Sequence, residues 1–306
     1  GGNLEPPESR VPRLPVREPG SSATQIPRLP PRNPDAHKGN FGRILVVGGS
    51  LGMAGAPCLS ALAAYRSGAG LVRLAVPESI QTAVSILVPG ATNTALPATP
   101  AGTFAYSPAA REKLLELGDA NDVLVVGPGM GRNPEADQLI VDLVSFCDQP
   151  MVIDADGLRA IKPVLAGGGR RSQNWILTPH PGEFAYLTNS TSDRIQADRA
   201  RATEKFGAGF SGVLVLKGSR TLVCSPTQRH VNTTGNPGMA TGGSGDVLAG
   251  VIAAIVGQGL SPMDAAVLGT YIHGLAGDLA AAELGQVSLI ASDLIDRLPA
   301  AFLSAR

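Results

Sequence analysis

From Arg43 onward the chain alternates short runs of β-branched and aliphatic residues with stretches of helical pattern, and this alternation restricts the fold more than any other feature. A parallel sheet covered by helices on both faces is written in this way. Strands are expected at residues 44–47, 71–76, 123–126, 151–153, 175–177, 213–216 and 221–224. Helices are expected at 57–67, 109–117, 134–146, 158–165 and 192–206, and the last third, through 247–257 and 262–284, reads almost entirely as helix. Hydrophobic residues are 43% of the chain but aromatics only 4%, with 38 glycines, so Ala, Val, Leu and Ile must build the core in closely packed layers.

Residues 1–34 differ in kind. Prolines recur from Pro6 to Pro34 with few large apolar residues between them, which reads as an extended arm before a single domain over 35–306. Lys and Arg number 25, as do Asp and Glu, so there is no electrostatic footprint for nucleic acid or an anionic membrane. Cys58, Cys147 and Cys224 are scattered and odd in number, as reduced core thiols are. No apolar run reaches about 18 residues and no apolar signal core opens the chain, so the expected location is cytoplasmic.

In open α/β sheets, ligands gather beyond the carboxyl ends of the strands. Gly48-Gly-Ser-Leu-Gly, Gly127-Pro-Gly-Met-Gly, Asp154-Ala-Asp-Gly, Thr178-Pro-His-Pro-Gly-Glu and Lys217-Gly-Ser-Arg-Thr all fall there, so five loops should share one cleft. None is a P-loop and none is a strict Gly-x-Gly-x-x-Gly opening a helix. The sharpest motif is Asn236-Pro-Gly-Met-Ala-Thr-Gly-Gly-Ser-Gly-Asp, which carries Asp246 into the start of an apolar helix. Gly242, Gly243 and Gly245 let backbone N–H groups approach a ligand closely, at a helix end that attracts phosphate. Asp246 reads either as a first-turn cap or as a base on a hydroxyl that attacks phosphorus. A carboxylate beside a phosphate cradle repels the ligand, and the glycines around it favour the base.

Taken in order from His37-Lys-Gly-Asn-Phe-Gly to His273-Gly-Leu-Ala-Gly-Asp, these motifs resemble the ADP- or ATP-dependent NAD(P)H-hydrate dehydratases, a branch of the ribokinase-like superfamily. The resemblance implies an α/β three-layer sandwich whose central, mostly parallel sheet carries helices on both faces. It implies a lyase that repairs cofactor, dehydrating the hydrated ring of NADHX or NADPHX to NADH or NADPH while consuming nucleotide. Asp246 would be the base, and the backbone of Gly243, Ser244 and Gly245 would stabilise the transferring phosphoryl group. Lys217, Gly218, Ser219, Arg220 and Thr221 match the family's adenine-nucleotide loop, joined by Asn236 and Gly245, with Lys217 as a charge for phosphate. Thr221 points to ADP, yielding AMP, with ATP as the alternative. Ala56, Gly129, Gly131, His180 and Asp246 fall where the family contacts the hydrated dinucleotide. Mg²⁺ is expected with the phosphates, with no residue assigned to it. The family tends towards homo-oligomers, dimer or tetramer, and many members are fused to an NAD(P)HX epimerase, a functional partner that the arm is too short to be.

Read without the resemblance, several of these residues keep a structural alternative. Ala56 can be a helix-packing residue, Gly129 and Gly131 can simply turn the chain, and His180 can be a satisfied loop histidine. Glu183 can cap the following helix or help hold Mg²⁺ through water, and the cap is preferred. Asp154 and Asp156 are read equally as turn or cap residues and as carboxylates near Mg²⁺, and stay outside the catalytic set. His273, spaced among Tyr271, Leu275 and Leu279, is read as a core histidine. Two rival functions share the site: a small-molecule kinase of the same superfamily acting on a vitamin precursor, and a nucleotide-binding protein without catalysis.

Overall fold

The computed structural model describes residues 26–167 and 172–305, and in it nine strands form one sheet in the order β3-β2-β1-β4-β5-β6-β7-β8-β9. The strands are β1 (Arg43–Val47), β2 (Leu71–Pro77), β3 (Thr92–Leu96), β4 (Val123–Val126), β5 (Met151–Ile153), β6 (Trp175–Leu177), β7 (Val213–Leu216), β8 (Leu222–Cys224) and β9 (Arg229–Val231). Pairing is parallel from β3 through β7, with Ile44 opposite both Val72 and Val123, and antiparallel from β7 to β9. Every parallel strand therefore ends on the same edge, which brings the five expected loops together.

Alternate side chains of each strand feed opposite cores. Ile44, Val46, Val125, Val152, Ile176 and Val215 pack under α1 (Gly55–Arg66), with α2 (Gln81–Leu87) at the margin. The same layer holds three later helices, α10 (Ser244–Gly257), α11 (Pro262–Leu284) and α12 (Ala291–Ser304). Leu45, Val47, Leu124, Val126, Ile153 and Leu177 pack under α3 (Pro108–Asp119), α4 (Pro134–Phe146), α5 (Asp156–Ala160) and α6 (Lys162–Ala166). That layer also holds α7 (Pro181–Leu187), α8 (Ser192–Ala197) and α9 (Arg199–Gly207). The result is the three-layer sandwich implied by the motifs. α10 is buried along nearly its whole length, as a helix that is apolar all round must be.

The differences from expectation have local causes. β3 is a polar edge strand, Thr-Asn-Thr-Ala-Leu, and β9 is three residues long, so neither carries the apolar run that marks a buried strand. The expected helix at 192–206 breaks at Asp198, which leaves helical geometry (φ −150°, ψ 80°) and caps α9 by accepting from the Arg201 N–H at 2.9 Å. The expected helix at 158–165 divides at Ile161, where Pro163 lies in the first turn of α6. α2, α7 and α12 come in addition.

The first 25 residues of the arm lie outside the described residues. Its remainder runs along the domain: Ile26 and Leu29 pack on the α1/α10 layer, and Arg32 donates to the Gly68 carbonyl at 2.8 Å while covering the Phe41 ring. All three cysteines are buried, and none is in a disulfide among the described residues. Among the described residues no helix is long and apolar enough to cross a membrane.

Candidate active site

α10 begins where Gly243, at φ +91°, turns the chain into the helix. The left-handed conformation favours glycine, and a Cβ there would also meet Leu59 Cδ1 at 2.6 Å and Ala291 Cβ at 2.9 Å. The first intrahelical bond is Val247 N–H to Gly243 O at 3.1 Å, so the N–H groups of Gly245 and Asp246 are left for a ligand. Ser244 is engaged elsewhere: its N–H reaches Thr241 O at 3.4 Å and its hydroxyl donates to Met239 O at 2.8 Å. The Ser244 carbonyl meets His273 Nε2 at 2.9 Å, which ties α11 to the start of α10. His273 is buried as read, and burial pushes its pKa down to about 4, so the ring is neutral.

Around this helix start the structure assembles a cluster that the motifs only partly foretold. Asp154, at the end of β5, is buried and accepts from Lys217 Nζ, at the end of β7, at 2.7 Å. Glu183 Oε2 lies 3.9 Å from the same ammonium. A Cβ on Gly245 would come within 2.9 Å of Lys217 Nζ and 3.4 Å of Asp154 Oδ2, so the pair packs directly on the α10 turn that bears Asp246. Burial and then the Asp154 charge push the Asp246 carboxyl up to about 7, against the pull of Lys217. Burial alone would lower the Lys217 pKa, yet Asp154 and Glu183 outweigh it and hold the ammonium above its ordinary value. A carboxyl that titrates near neutrality beside open helix N–H groups can take a proton from a hydroxyl while an anion is held next to it.

Ala155, at φ +48°, is a strained non-glycine residue between two carboxylates sent to different neighbours. Asp154 goes to Lys217, and Asp156 Oδ2 accepts the Gly131 N–H at 2.8 Å. The Gly131 carbonyl lies 3.4 Å from Arg159 Nη2, and Arg159 is paired in two places with Asp137. Gly129 is against Ala56: a Cβ on it would lie 2.9 Å from both Ala56 Cβ and Met53 O. Ala56, Gly129 and Gly131 thus form one wall. His180 and Asp156 line an adjoining cleft of about 350 Å³ with Arg132, Arg159, Glu183 and Tyr186. His180 Nδ1 accepts from the Gly182 and Glu183 N–H groups, and Glu183 accepts from the His180 N–H at 2.8 Å. This capping box bears out the reading of Glu183 as a cap and adds its place beside Lys217.

The loop Lys217, Gly218, Ser219, Arg220 and Thr221 joins β7 to β8, with Gly218 at φ +138°, Arg220 at φ +54° and the Thr221 hydroxyl donating to Gly218 O at 2.9 Å. Asn236 is turned into its own loop, accepting from Gly238 N–H and donating to Asp278 Oδ1, both at 3.0 Å. Asp154 is the residue that sequence reasoning left out of the cluster. Its signal was its position at the carboxyl end of a strand between two other motif-bearing strands.

The sheet order and the two helical layers define a ribokinase-like α/β protein, with a carboxylate at a glycine-rich helix start at the strands' carboxyl edge. The chain belongs to the NAD(P)H-hydrate dehydratase family, whose profile matches residues 44–300. It is 47% identical over 267 residues to the bifunctional NAD(P)H-hydrate repair enzyme Nnr of Moorella thermoacetica, covering 86% of this chain and 49% of that protein. It is 39% identical over 249 residues to the ADP-dependent (S)-NAD(P)H-hydrate dehydratase of Neisseria meningitidis, covering 80% and 79%. The crystal structure of the ADP/ATP-dependent NAD(P)H-hydrate dehydratase of Bacillus subtilis, co-crystallised with ATP and Mg²⁺, superposes with a TM-score of 0.77 at 28% identity, covering 91% of this chain and 95% of that one. The chain spans about half the length of the bifunctional relatives it matches.

Proposed function

We propose that the chain returns the hydrated nicotinamide ring of NADHX and NADPHX to NADH and NADPH, consuming ADP and releasing AMP and phosphate. The observation that carries the reading is the Asp246 carboxyl, raised to about 7 at a helix start whose N–H groups have no intrahelical acceptor. Water is a poor leaving group from a ring carbon, so the hydroxyl is phosphorylated first. Asp246 takes the hydroxyl proton as the oxygen attacks the terminal phosphorus of ADP; the new O–P bond forms, the bridging P–O bond breaks, and AMP leaves. The N–H groups of Gly245 and Asp246 donate to the charge on the transferring group, the kind of interaction that supplies roughly 3–4 kcal/mol per well-placed donor. The ring-nitrogen lone pair then expels phosphate, and loss of a proton from the neighbouring ring carbon restores the double bond.

Ala56, Gly129, Gly131 and His180 hold the hydrated dinucleotide in this reading, and Lys217, Gly218, Ser219, Arg220, Thr221 and Asn236 form the nucleotide side. ADP is favoured by Thr221 and by the ADP dependence named for the Neisseria relative. Mg²⁺ arrives bound to the nucleotide. Among the described residues no three His, Cys, Asp or Glu side chains converge to hold a metal, and Asp154 already binds Lys217, so the residues present do not fit a resident ion. The protein is read as cytoplasmic and homo-oligomeric, dimer or tetramer, working with an NAD(P)HX epimerase, the last in keeping with the bifunctional names of its relatives. The test is to incubate the protein with NADHX, Mg²⁺ and either ADP or ATP and to follow the near-ultraviolet absorbance of the intact dihydronicotinamide ring. Absorbance returning in step with AMP supports the reading, whereas a phosphorylated hydrate that accumulates without ring repair points to a kinase.

A further inference from the structure

Arg199 opens α9 and ends its guanidinium among backbone carbonyls. Nη2 donates to Leu216 O at 2.8 Å and to Lys217 O at 3.1 Å, and Nη1 donates to Ser219 O at 2.5 Å. Among the described residues no carboxylate pairs with it. The planar fork of a guanidinium suits this task, because it reaches several acceptors in one fixed geometry.

Peptide planarity then sets the other side of the loop. With the Lys217 and Ser219 carbonyls turned onto Arg199, the following N–H groups, those of Gly218 and Arg220, face away from it, and neither donates to another described residue. Gly218, at φ +138°, rests on the guanidinium, where a Cβ would lie 3.2 Å from Nη2. Arg220 holds a left-handed φ of +54°, a strained conformation for a non-glycine residue. The Lys217 ammonium is itself held 2.7 Å from Asp154, so an anion at this loop also draws on backbone donors.

We propose that Arg199 is a positioning residue for nucleotide binding: it draws the Lys217 and Ser219 carbonyls of the Lys217–Thr221 loop, with that of Leu216 at the end of β7, onto itself and so presents the Gly218 and Arg220 N–H groups as a preorganised cradle for a phosphate of the nucleotide. The identity of the anion rests on the proposed function. The experiment measures ADP binding by calorimetry, and the KM values for nucleotide and hydrate separately, for wild type, Arg199→Lys and Arg199→Ala, each with its fold checked by circular dichroism. Lys keeps the charge but lacks the fork. Both variants should weaken ADP binding about tenfold or more while the hydrate KM and the kcat at saturating nucleotide stay within about twofold, and ethylguanidinium should restore Arg199→Ala. Unchanged ADP affinity in folded Arg199→Lys would overturn the proposal, as would a common loss in both KM values and kcat that ethylguanidinium does not repair. Failure of the wild-type protein to bind ADP or ATP would instead overturn the nucleotide reading of the loop, and this inference with it.

Discussion

Lys217 Nζ lies 2.7 Å from Asp154 Oδ1, and this pair closes over the backbone of Gly245, the residue before Asp246. The Lys217 ammonium thus feels the charges of Asp154, Glu183 and Asp246, so the proton affinity of Asp246 is set by a balance of charges as well as by burial.

That balance predicts the pH dependence of turnover. kcat/KM for the hydrate should rise with pH through about 7 as Asp246 loses its proton. Asp154→Asn removes a negative neighbour and should move this acid limb to lower pH; Lys217→Met removes the opposing positive charge and should move it to higher pH. pH profiles of the three proteins check both directions.

Asp246 also lowers the stability of the fold. Its carboxyl keeps its proton to about 7 in the folded protein but only to 3.8 by the ordinary value for Asp in an unfolded chain, so between these values the folded state binds the extra proton. Stability from this group is present below about pH 4 and is lost as pH rises through about 7. Asp246→Asn should therefore be more stable than wild type at pH 8, by on the order of 4 kcal/mol, with no difference below about pH 4. Urea unfolding at the two pH values measures this.

Gly245→Ala separates chemistry from folding. Gly245 lies outside the left-handed φ region, so its backbone accepts Ala, but the Cβ would come 2.9 Å from Lys217 Nζ, the far end of a flexible side chain. The fold should survive, while turnover falls about 10²-fold as the charge cluster shifts against the helix start. Melting and steady-state rates on the same preparation provide the comparison.

Gly250→Ala tests the packing that holds α10 in place. A Cβ there would lie 2.0 Å from the Ser60 carbonyl on α1, so the two helices must separate. The Ser60 hydroxyl also donates to the Asp246 carbonyl at 2.8 Å, which couples this crossing to the site. A loss of about 1–3 kcal/mol is expected in denaturant unfolding, with activity reduced alongside it.

The strands that carry the site were legible because each is a short, wholly apolar run ending in glycine or a polar motif, as Val123–Val126 does before Gly127. Asp246 was legible because glycines surround it. The role of Asp154 was not, since an Asp two residues before another Asp and a Gly looks the same whether it turns the chain or meets a lysine 63 residues away. The sheet order supplies that contact, by placing β5 and β7 on either side of β6. Lys217, read as a phosphate charge, is found inside a carboxylate cluster for the same reason. Arg199 carries no signal in a stretch rich in Arg, and the helical pattern over 192–206 runs on through the break at Asp198 that aims it at the β7–β8 loop.

The most direct test of the account compares wild type with Asp246→Asn for NADHX repair with ADP, following ring absorbance and AMP together, with ADP binding measured on both proteins. Wild type should restore the ring and release one AMP for each ring repaired, and Asp246→Asn should bind ADP with similar affinity while its turnover falls by about 10²-fold or more. Ring repair by Asp246→Asn at a rate near that of wild type would contradict Asp246 as the base, and no repair by wild type with either ADP or ATP would contradict the proposed activity itself.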